Sequence, residues 1–495
     1  MDRGIRTTGR WLAILAALAL ALPASAAPRR DRALEAQLRA HIEVLASDEF
    51  EGREPGTEGE AKTLRYLGRE WFDIGLVSGT NSPANEWFVP ISLVAREPAA
   101  SAAQFTRRGR RHFLPGTEAL MLTSGKRSLV RDAPVLFVGK AQTMPVRTEL
   151  AGRVALLLDG EQSDGERQDA LIAAGAAAVV TVLDGDRTLD SVAARRKRSG
   201  YALASEALGG DLEGFMTAAG LDRVLHGSTT SIASLRDEAD RPGFAPRLLD
   251  MTASLEATTS ESTIRTHNLI GKLPGRRPDT GAVLFVAHWD HFGVCGEPEA
   301  EDRICNGAID NASGLAALTE VARRLARGPR LDRDIYFLAT TAEELGLLGA
   351  HAFADNPPVP LSQIVAAFNI DSIALAPAGS PLAIVGRGMT PLDAEIEKVA
   401  RAMKRRVVPG DAANAYVRRQ DGWALLQHDI PTVMVTSAYS DLARVEAFFE
   451  GVYHRPSDNV AGREIELGGA AEDVAFHVAL GRWFADARRV FLRSK

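Results

Sequence analysis

Two stretches near the start of the chain repeat apolar residues at helical spacing. The first comprises Leu34, Leu38, Ile42 and Leu45, and the second comprises Leu64, Leu67, Trp71 and Ile74. Because apolar residues three and four positions apart share one face of a helix, the pattern predicts two amphipathic helices. The segment 47–57 between them is rich in Gly, Pro and charge, which by composition is typical of a solvated connection.

The pattern changes twice further along the chain. From about Ala119 to Pro246, short β-like runs surround one helix-like stretch, Arg167–Ala174, which predicts a compact α+β unit. From Thr266 onward, continuous apolar runs alternate with helical stretches; the runs are Val283–Ala287, Ile335–Ala339, Ile364–Ile370 and Ile430–Val435. Continuous apolar strands separated by helices favour a mainly parallel sheet covered by helices on both faces.

Composition and charge narrow the possible classes of protein. With 495 residues, 45% of them hydrophobic and 25% charged, the chain is typical of a soluble globular protein with more than one core. A net charge of -6 offers no electrostatic footprint for a nucleic acid, so we expect no nucleic-acid partner. Only two cysteines are present, so a transition metal must be held by histidine and carboxylate groups.

The first residues have the pattern of a secretory signal. Arg3, Arg6 and Arg10 precede the apolar run Trp11–Leu22, and small residues that end at Ala26 supply a cleavage pattern. The alternative is an uncleaved anchor, but the run is shorter than the roughly 20 apolar residues that span a bilayer. We therefore expect a signal peptide over 1–26, an exported protein that is periplasmic or secreted, and no stable membrane span after cleavage.

Ionisable side chains cluster where the predicted strands end. Five fragments carry them: His288 with Asp290 and His291, Asp310, Glu343 with Glu344, Asp371, and His454. Each fragment alone has a simple structural explanation, such as a buried histidine or a helix-capping aspartate. Because ligands in such sheets sit beyond the carboxyl ends of the strands, we expect the fragments to converge. Two histidines and three carboxylates suit a pair of zinc-like ions that share one carboxylate.

Such a pair of ions would support hydrolysis. Two ions roughly 3.5–4 Å apart activate water and polarise a carbonyl group, and a free carboxylate beside that water serves as general base. The side chains of Glu343 and Glu344 diverge, so one can bind metal while the other stays free. Asp290 could orient His288 through the other ring nitrogen.

Several motifs occur together in an order that matches a known family. The segment Leu45–Thr57 is similar to the signature LASDELEGRxPGT, and the HxD, GAxDNASG, EE, NxD and YHxPxD elements follow in family order. The chain thus resembles the di-zinc exopeptidases that include secreted bacterial aminopeptidases, aminopeptidase Y and the glutamate carboxypeptidases. Residues 149–160 and 173–180 resemble the protease-associated domain that is inserted in many members.

The resemblance implies a role for each candidate residue. Two divalent ions, with zinc as the implied metal, would be held by His288 and Asp371, by Glu344 and His454, and by a bridging Asp310. Glu343 would be the general base, and Asp290 would orient His288. The substrate would be a peptide with a free N-terminal amine.

The resemblance also implies a division of the chain. The fold would be α/β, with a mainly parallel mixed sheet that helices cover on both faces. Residues 32–115 and 247–495 would form the catalytic domain. Residues 116–246 would form a smaller inserted α+β domain of the protease-associated type.

Two features depart from the family pattern. Many members have a Ser-Asp-His element where this chain has Gln420, Asp421 and Gly422, so the contribution of that histidine is in doubt. Cys295 and Cys305 bracket an insertion before Asp310, and in an exported protein they could form a disulfide. Two free buried thiols are the alternative.

Other functions on this fold remain open. One alternative is a carboxypeptidase that removes acidic C-terminal residues, although such relatives extend through a long helical dimerisation domain and this chain ends soon after Asp458. A single-zinc cyclase is less favoured because all five ligands are present. A non-catalytic binding protein is also less favoured, since such relatives lose ligands. We therefore expect an aminopeptidase.

Overall fold

The structure is a computed structural model, and it describes residues 30–160, 164–184, 187–198, 200–206, 211–461 and 465–489. The predicted signal peptide, residues 1–26, lies outside the described residues. Among the described residues, no helix is both long enough and apolar enough to cross a membrane.

The helices follow the chain in order. They are α1 (Arg32–Leu45), α2 (Glu58–Ile74), α3 (Arg147–Leu150), α4 (Asp164–Ala173), α5 (Leu189–Arg198), α6 (Ala218–Leu225), α7 (Ile232–Ala239), α8 (Gly314–Ala326), α9 (Leu348–Asp355), α10 (Asp393–Ala402), α11 (Asp421–Gln427), α12 (Leu442–Gly451) and α13 (Leu467–Phe484).

The strands are β1 (Val77–Ser78), β2 (Phe88–Arg107), β3 (Arg110–Leu114), β4 (Ala119–Leu122), β5 (Arg127–Phe137), β6 (Val154–Leu158), β7 (Ala178–Val182), β8 (Tyr201–Leu203), β9 (Glu213–Met216), β10 (Arg247–Leu273), β11 (Ala282–His288), β12 (Asp334–Thr340), β13 (Ile364–Asn369), β14 (Ala383–Val385) and β15 (Thr432–Thr436).

Both helices predicted near the start of the chain are present. Asp31 caps α1 by accepting a hydrogen bond from the backbone N–H of Leu34, and the four predicted apolar residues of this helix are buried. α2 buries Trp71 completely and ends at Gly75, which has a φ of 92°. Glycine suits that left-handed position because it has no Cβ.

The C-terminal half contains the predicted parallel sheet. The strand order is β14-β15-β13-β11-β12-β10, in which β15, β13, β11 and β12 are parallel and the two outer strands are antiparallel. Every residue of β11 and of β12 is buried, as expected for strands with helices on both faces. The predicted α/β class with a mainly parallel mixed sheet is therefore confirmed.

The middle of the chain forms a second set of strands. β5, β6, β7 and β9 are parallel neighbours, and β4 lies antiparallel beside β9. Helices α3 to α7 accompany these strands, so this part is α+β in composition.

Two long strands join the halves. β10 pairs with β12 near its end, with β5 over its first half, and with β2 from Thr252 to Leu269. The second hydrophobic core consequently includes residues from 103–114 and 249–257, outside the predicted insertion limits of 116–246. The division into a catalytic domain and a protease-associated insertion stays a prediction.

Candidate metal centre

Three parallel strands bring the first candidates to one edge of the sheet. In the pairing of β11 with β12, His288 lies beside Thr340, so both strands end at the same level. β13 ends at Asn369, which lies beside Val286 of β11. The loops after these ends carry Glu343, Glu344 and Asp371, and Glu343 and Asp371 lie 4.0 and 3.6 Å from His288 Nε2.

Asp310 and His454 reach the same place from outside the sheet. Asp310 lies in the turn Ala308–Ser313 that leads into α8. The carboxylate of Asp458 accepts hydrogen bonds from the backbone N–H groups of Ile309 and Asp310, at 3.1 Å each, and so orients this turn. His454 follows α12 with a φ of 56° and projects towards Asp310.

The carboxylate of Asp310 faces both histidines. Its Oδ1 lies 3.2 Å from Nε2 of His288, and its Oδ2 lies 3.3 Å from Nε2 of His454. His288 Nε2 is also 3.6 Å from Asp371 Oδ1, and His454 Nε2 is 2.9 Å from Glu344 Oε2. All five predicted ligands therefore converge. Asp310 lies between a first subsite, formed by His288 and Asp371, and a second subsite, formed by Glu344 and His454.

The donor set fits divalent metal ions. His288 Nε2, His454 Nε2 and Glu344 Oε1 are buried and make no hydrogen bond with any group that the structure describes. Unpartnered buried polar atoms are costly, and a bound cation would satisfy all three of these atoms. Histidine and carboxylate ligands without cysteine suit zinc, although cobalt or manganese accept the same ligands.

Charge–charge interactions perturb the pKa values of this cluster. Burial would lower the pKa of His288, but the charge of Glu343 and the contacts with Asp310 and Asp371 raise it well above its usual value. Burial would also raise the pKa of Asp310, yet the two imidazoles hold it well below its usual range. Protons and metal ions compete for the same nitrogen atoms, so metal binding here releases protons.

Glu343 lies beside the first subsite without belonging to the predicted ligand set. Its Oε2 is 4.0 Å from His288 Nε2, and the side chain is buried. Burial raises the pKa of Glu343 well above its usual value. The charge of His288 opposes this shift, and the charges of Glu344 and Asp371 add to it. A carboxylate with a raised pKa next to a hydrolytic centre can take up and release a proton.

Asp290 contacts His288 differently from the sequence prediction. His288 Nδ1 lies 3.2 Å from the backbone carbonyl oxygen of Asp290, whereas the carboxylate Oδ1 of Asp290 is 3.8 Å away. The carboxylate instead accepts hydrogen bonds from the backbone N–H groups of Glu343 and Glu344, at 3.1 and 3.3 Å. The carboxylate of Asp290 thus contacts the backbone of both glutamates, and its predicted role in orienting His288 stays a prediction.

His291 lies beside the second subsite, and the sequence motifs assign no role to this histidine. It forms a group with Asp310 and Glu344 whose ligand atoms lie within 4.8 Å of one another. Its Nδ1, however, accepts a hydrogen bond of 2.7 Å from the backbone N–H of Phe292 and is 3.9 Å from Glu344. His454 has the shorter contacts with Asp310 and Glu344, and it stays the predicted ligand.

Arg53 lies beneath the centre, and sequence reasoning gave it no individual role. Its side chain is completely buried, and its guanidinium group donates to the backbone carbonyls of Leu45 (2.8 Å), Trp289 (2.9 Å), Asn306 (2.5 Å) and Gly307 (3.0 Å). Trp289 follows His288 in sequence, and Gly307 precedes Asp310. Arg53 therefore ties together two segments that carry predicted ligands.

The charge of Arg53 also complements the cluster. Burial lowers the pKa of Arg53 to about 10, although the negative charges of Asp310, Asp458 and Asp290 act to raise it. The guanidinium group therefore stays protonated at neutral pH. The backbone beside Arg53 is closely packed, since a Cβ on neighbouring Gly52 would lie 2.6 Å from the carbonyl oxygen of Gly293. The segment Leu45–Thr57 thus supports the metal-site residues structurally. Its loop-like composition did not indicate this role.

Both departures from the family pattern can be located. Cys295 and Cys305 form a disulfide, as expected, and their sulfur atoms lie 3.6 and 4.0 Å from the carbonyl oxygen of His454. At the second departure, a Cβ on Gly422 would lie 2.6 Å from Oε1 of Gln420. A larger residue at position 422 would therefore require the Gln420 side chain to move.

Together, the fold and the donor set define an α/β protein with a cluster of histidine and carboxylate groups, suited to divalent metal ions, at the carboxyl ends of parallel strands. Residues 268–479 match the model of peptidase family M28, and this span includes every predicted ligand from His288 to His454. Residues 268–479 are therefore similar to peptidase family M28, which confirms the family resemblance over this part of the chain.

Individual relatives agree with this family. Over 126 residues the chain is 34% identical to aminopeptidase YwaD of Bacillus subtilis (strain 168), which covers 25% of this chain and 25% of that protein. Over 158 residues it is 27% identical to the probable lipoprotein aminopeptidase LpqL of Mycobacterium tuberculosis (strain ATCC 25618 / H37Rv), covering 32% and 29%. The alignments thus span about a quarter to a third of each relative.

A solved structure extends the likeness to nearly the whole chain. The aminopeptidase from Aneurinibacillus sp. strain AM-1 superposes with a TM-score of 0.54 over 93% of this chain and 96% of that chain. The sequences are 17% identical, so this similarity establishes a shared fold.

Proposed function

We propose that this protein is an exported, metal-dependent aminopeptidase that hydrolyses peptides with water activated by two metal ions. The observation that carries the proposal is the position of Asp310, whose two carboxylate oxygens face His288 and His454 at 3.2 and 3.3 Å. A carboxylate that faces two subsites can bind two ions at once and hold them at the short separation used in two-metal hydrolysis.

The ligands would divide between the two subsites. His288 and Asp371 would hold one ion, Glu344 and His454 the other, and Asp310 would bind both. Zinc is the proposed metal. When bound, such ions lower the pKa of water and polarise the peptide carbonyl group.

Glu343 is the proposed general base and acid. It would take a proton from the attacking water and pass that proton to the amine of the leaving group. Asp290 would support this role by fixing the backbone N–H groups of Glu343 and Glu344 through its carboxylate.

The proposed substrate is a peptide with a free N-terminal amine. YwaD and the Aneurinibacillus protein are named as aminopeptidases and LpqL as a probable one, which supports this choice. The alternative is a carboxypeptidase of the glutamate carboxypeptidase type. An aminopeptidase requires a free N-terminus and a carboxypeptidase requires a free C-terminus. Blocking either end of a peptide therefore distinguishes the two activities.

Export is proposed from the N-terminal pattern and from the cysteine pair. The positive residues, apolar run and small residues of 1–26 are typical of a secretory signal. The disulfide between Cys295 and Cys305 agrees with an oxidising compartment.

The test combines a peptide panel with a variant of the base. Wild-type protein loaded with zinc should hydrolyse leucine p-nitroanilide and free-amine peptides but not their N-acetylated forms. Glu343→Gln should bind zinc normally and lose at least about a thousandfold in kcat. The matched control, Glu450→Gln, alters an exposed carboxylate and should keep wild-type kcat.

Two results would contradict the proposal. Hydrolysis of N-acetylated peptides with release of C-terminal glutamate would favour the carboxypeptidase. Wild-type turnover by Glu343→Gln would refute the role of Glu343.

A further inference from the structure

A cavity of about 610 Å³ opens beside the second subsite and has no role in the chemistry described above. One wall is β8 with the turn that follows it, and the other is the segment from Glu344 through α9. Glu344, whose buried Oε1 has no hydrogen-bond partner among the described groups, lies at the end nearest the metal site. The cavity is large enough for an amino-acid side chain.

The wall formed by β8 packs firmly against the segment that carries Glu344. Leu203 of β8 pairs with Leu93 of β2, and both residues belong to one buried apolar cluster with Ala342 and Leu348. This cluster joins β8 to residues on either side of Glu344. The position of β8 relative to the proposed metal ligand is therefore set by hydrophobic packing.

The lining of the cavity is negative. Glu206 lies in the turn after β8, Asp355 is the last residue of α9, and no Lys or Arg among the described residues lines the cavity. Within the described part of the chain, neither carboxylate forms an ion pair. Both side chains belong to exposed residues, so a ligand can reach them.

The end of α9 adds to this negative potential. Helix carbonyl groups carry partial negative charge at the C-terminus, and a basic residue in the last turn usually offsets it. The last turn of α9 has no basic residue, and it has Asp355 instead. His351 provides no compensation, because burial and the neighbouring His428 lower its pKa and keep it neutral at pH 7.

We propose that this cavity binds the cationic side chain of a lysine or arginine residue next to the scissile bond of the peptide. The inference rests on the proposed peptidase function and names its preferred class of substrate. The apolar residues Leu203, Leu345 and Leu348 would contact the methylene groups, and Glu206 and Asp355 would face the charge.

The test compares lysine with methionine, which is similar in length and uncharged. One pair of peptides is Lys-Ala-NH2 and Met-Ala-NH2, and the other pair is Ala-Lys-NH2 and Ala-Met-NH2. Two partly exposed carboxylates should give a kcat/KM for lysine roughly fivefold to tenfold above that for methionine in one pair. In the double variant Glu206→Gln/Asp355→Asn, this ratio should fall to within about twofold of one.

A charge-matched control separates local from overall charge. The double variant Asp237→Asn/Glu450→Gln removes two exposed carboxylates away from the cavity and should keep the wild-type ratio. Hydrolysis without a preference for lysine in either pair would overturn this inference alone, as would a preference that survives loss of Glu206 and Asp355. Failure of the zinc-loaded wild type to hydrolyse any of the four peptides would overturn the proposed function as well.

Discussion

Replacing Arg53 by methionine removes the guanidinium group that ties the His288 and Asp310 segments together, while leaving a side chain of similar length. Four backbone carbonyls lose a charged donor. A buried acceptor that loses its partner costs about 1–3 kcal/mol, and breaking a buried ionic network costs about 3–5 kcal/mol. Because Gly307 also accepts from Ala312, the four losses do not simply add.

We therefore expect Arg53→Met to lose about 3–5 kcal/mol of unfolding free energy. For a chain of this size the Tm changes by roughly 1–1.5 °C per kcal/mol, so it would fall by roughly 3–8 °C. Because both ligand segments lose their common anchor, zinc affinity should also fall by about 10–100-fold. Thermal denaturation and chelator competition measure the two effects.

Two controls make the result specific. Arg53→Lys keeps the charge but cannot reach all four carbonyls with a planar group, so it should fall between methionine and wild type. Arg276→Met removes an exposed arginine that pairs with Asp332 and should change the Tm by little. A wild-type Tm and zinc affinity in Arg53→Met would refute the reasoning.

Three further outcomes are expected. His454→Ala should weaken zinc binding more than His291→Ala, and equal affinities in chelator competition would contradict the ligand choice. Replacing Cys295 and Cys305 by serine should cost about 2–3 kcal/mol, because the bridge closes a loop of sequence separation 10; an unchanged urea midpoint would oppose this. Burial lowers the pKa of His477 to about 4, so stability should decline as the pH falls from about 6.5 towards 4, by roughly 2 kcal/mol at pH 5. His477→Phe should lose that part of the pH dependence, and identical urea titrations at pH 7 and pH 5 for both proteins would argue against it.

Much of the fold could be predicted because the local pattern matches the final environment. The apolar runs that became β11, β12 and β13 are buried on both faces, so their sequences carry the signal directly. The chemistry was predictable for a related reason. Ionisable residues directly after buried strands must lie at one sheet edge, and the structure brings His288, Glu343 and Asp371 together there.

Other features depend on contacts between distant parts of the chain. The partners of Arg53 are backbone carbonyls as far as 254 positions away, and carbonyl groups leave no signal in the residue type. The cavity likewise needs β8 to pack against α9 through Leu203 and Leu348. The long shared strands β2 and β10 were missed because their outer parts alternate with polar residues and resemble separate short strands.

The central claim is that hydrolysis requires two metal ions that share Asp310, and a zinc titration of metal-free protein tests it most directly. Activity on leucine p-nitroanilide should rise until two equivalents of zinc per chain are bound. Asp310→Ala should bind zinc weakly and remain inactive at the same zinc concentration. Full wild-type activity at one equivalent, or activity that persists without metal, would contradict the account.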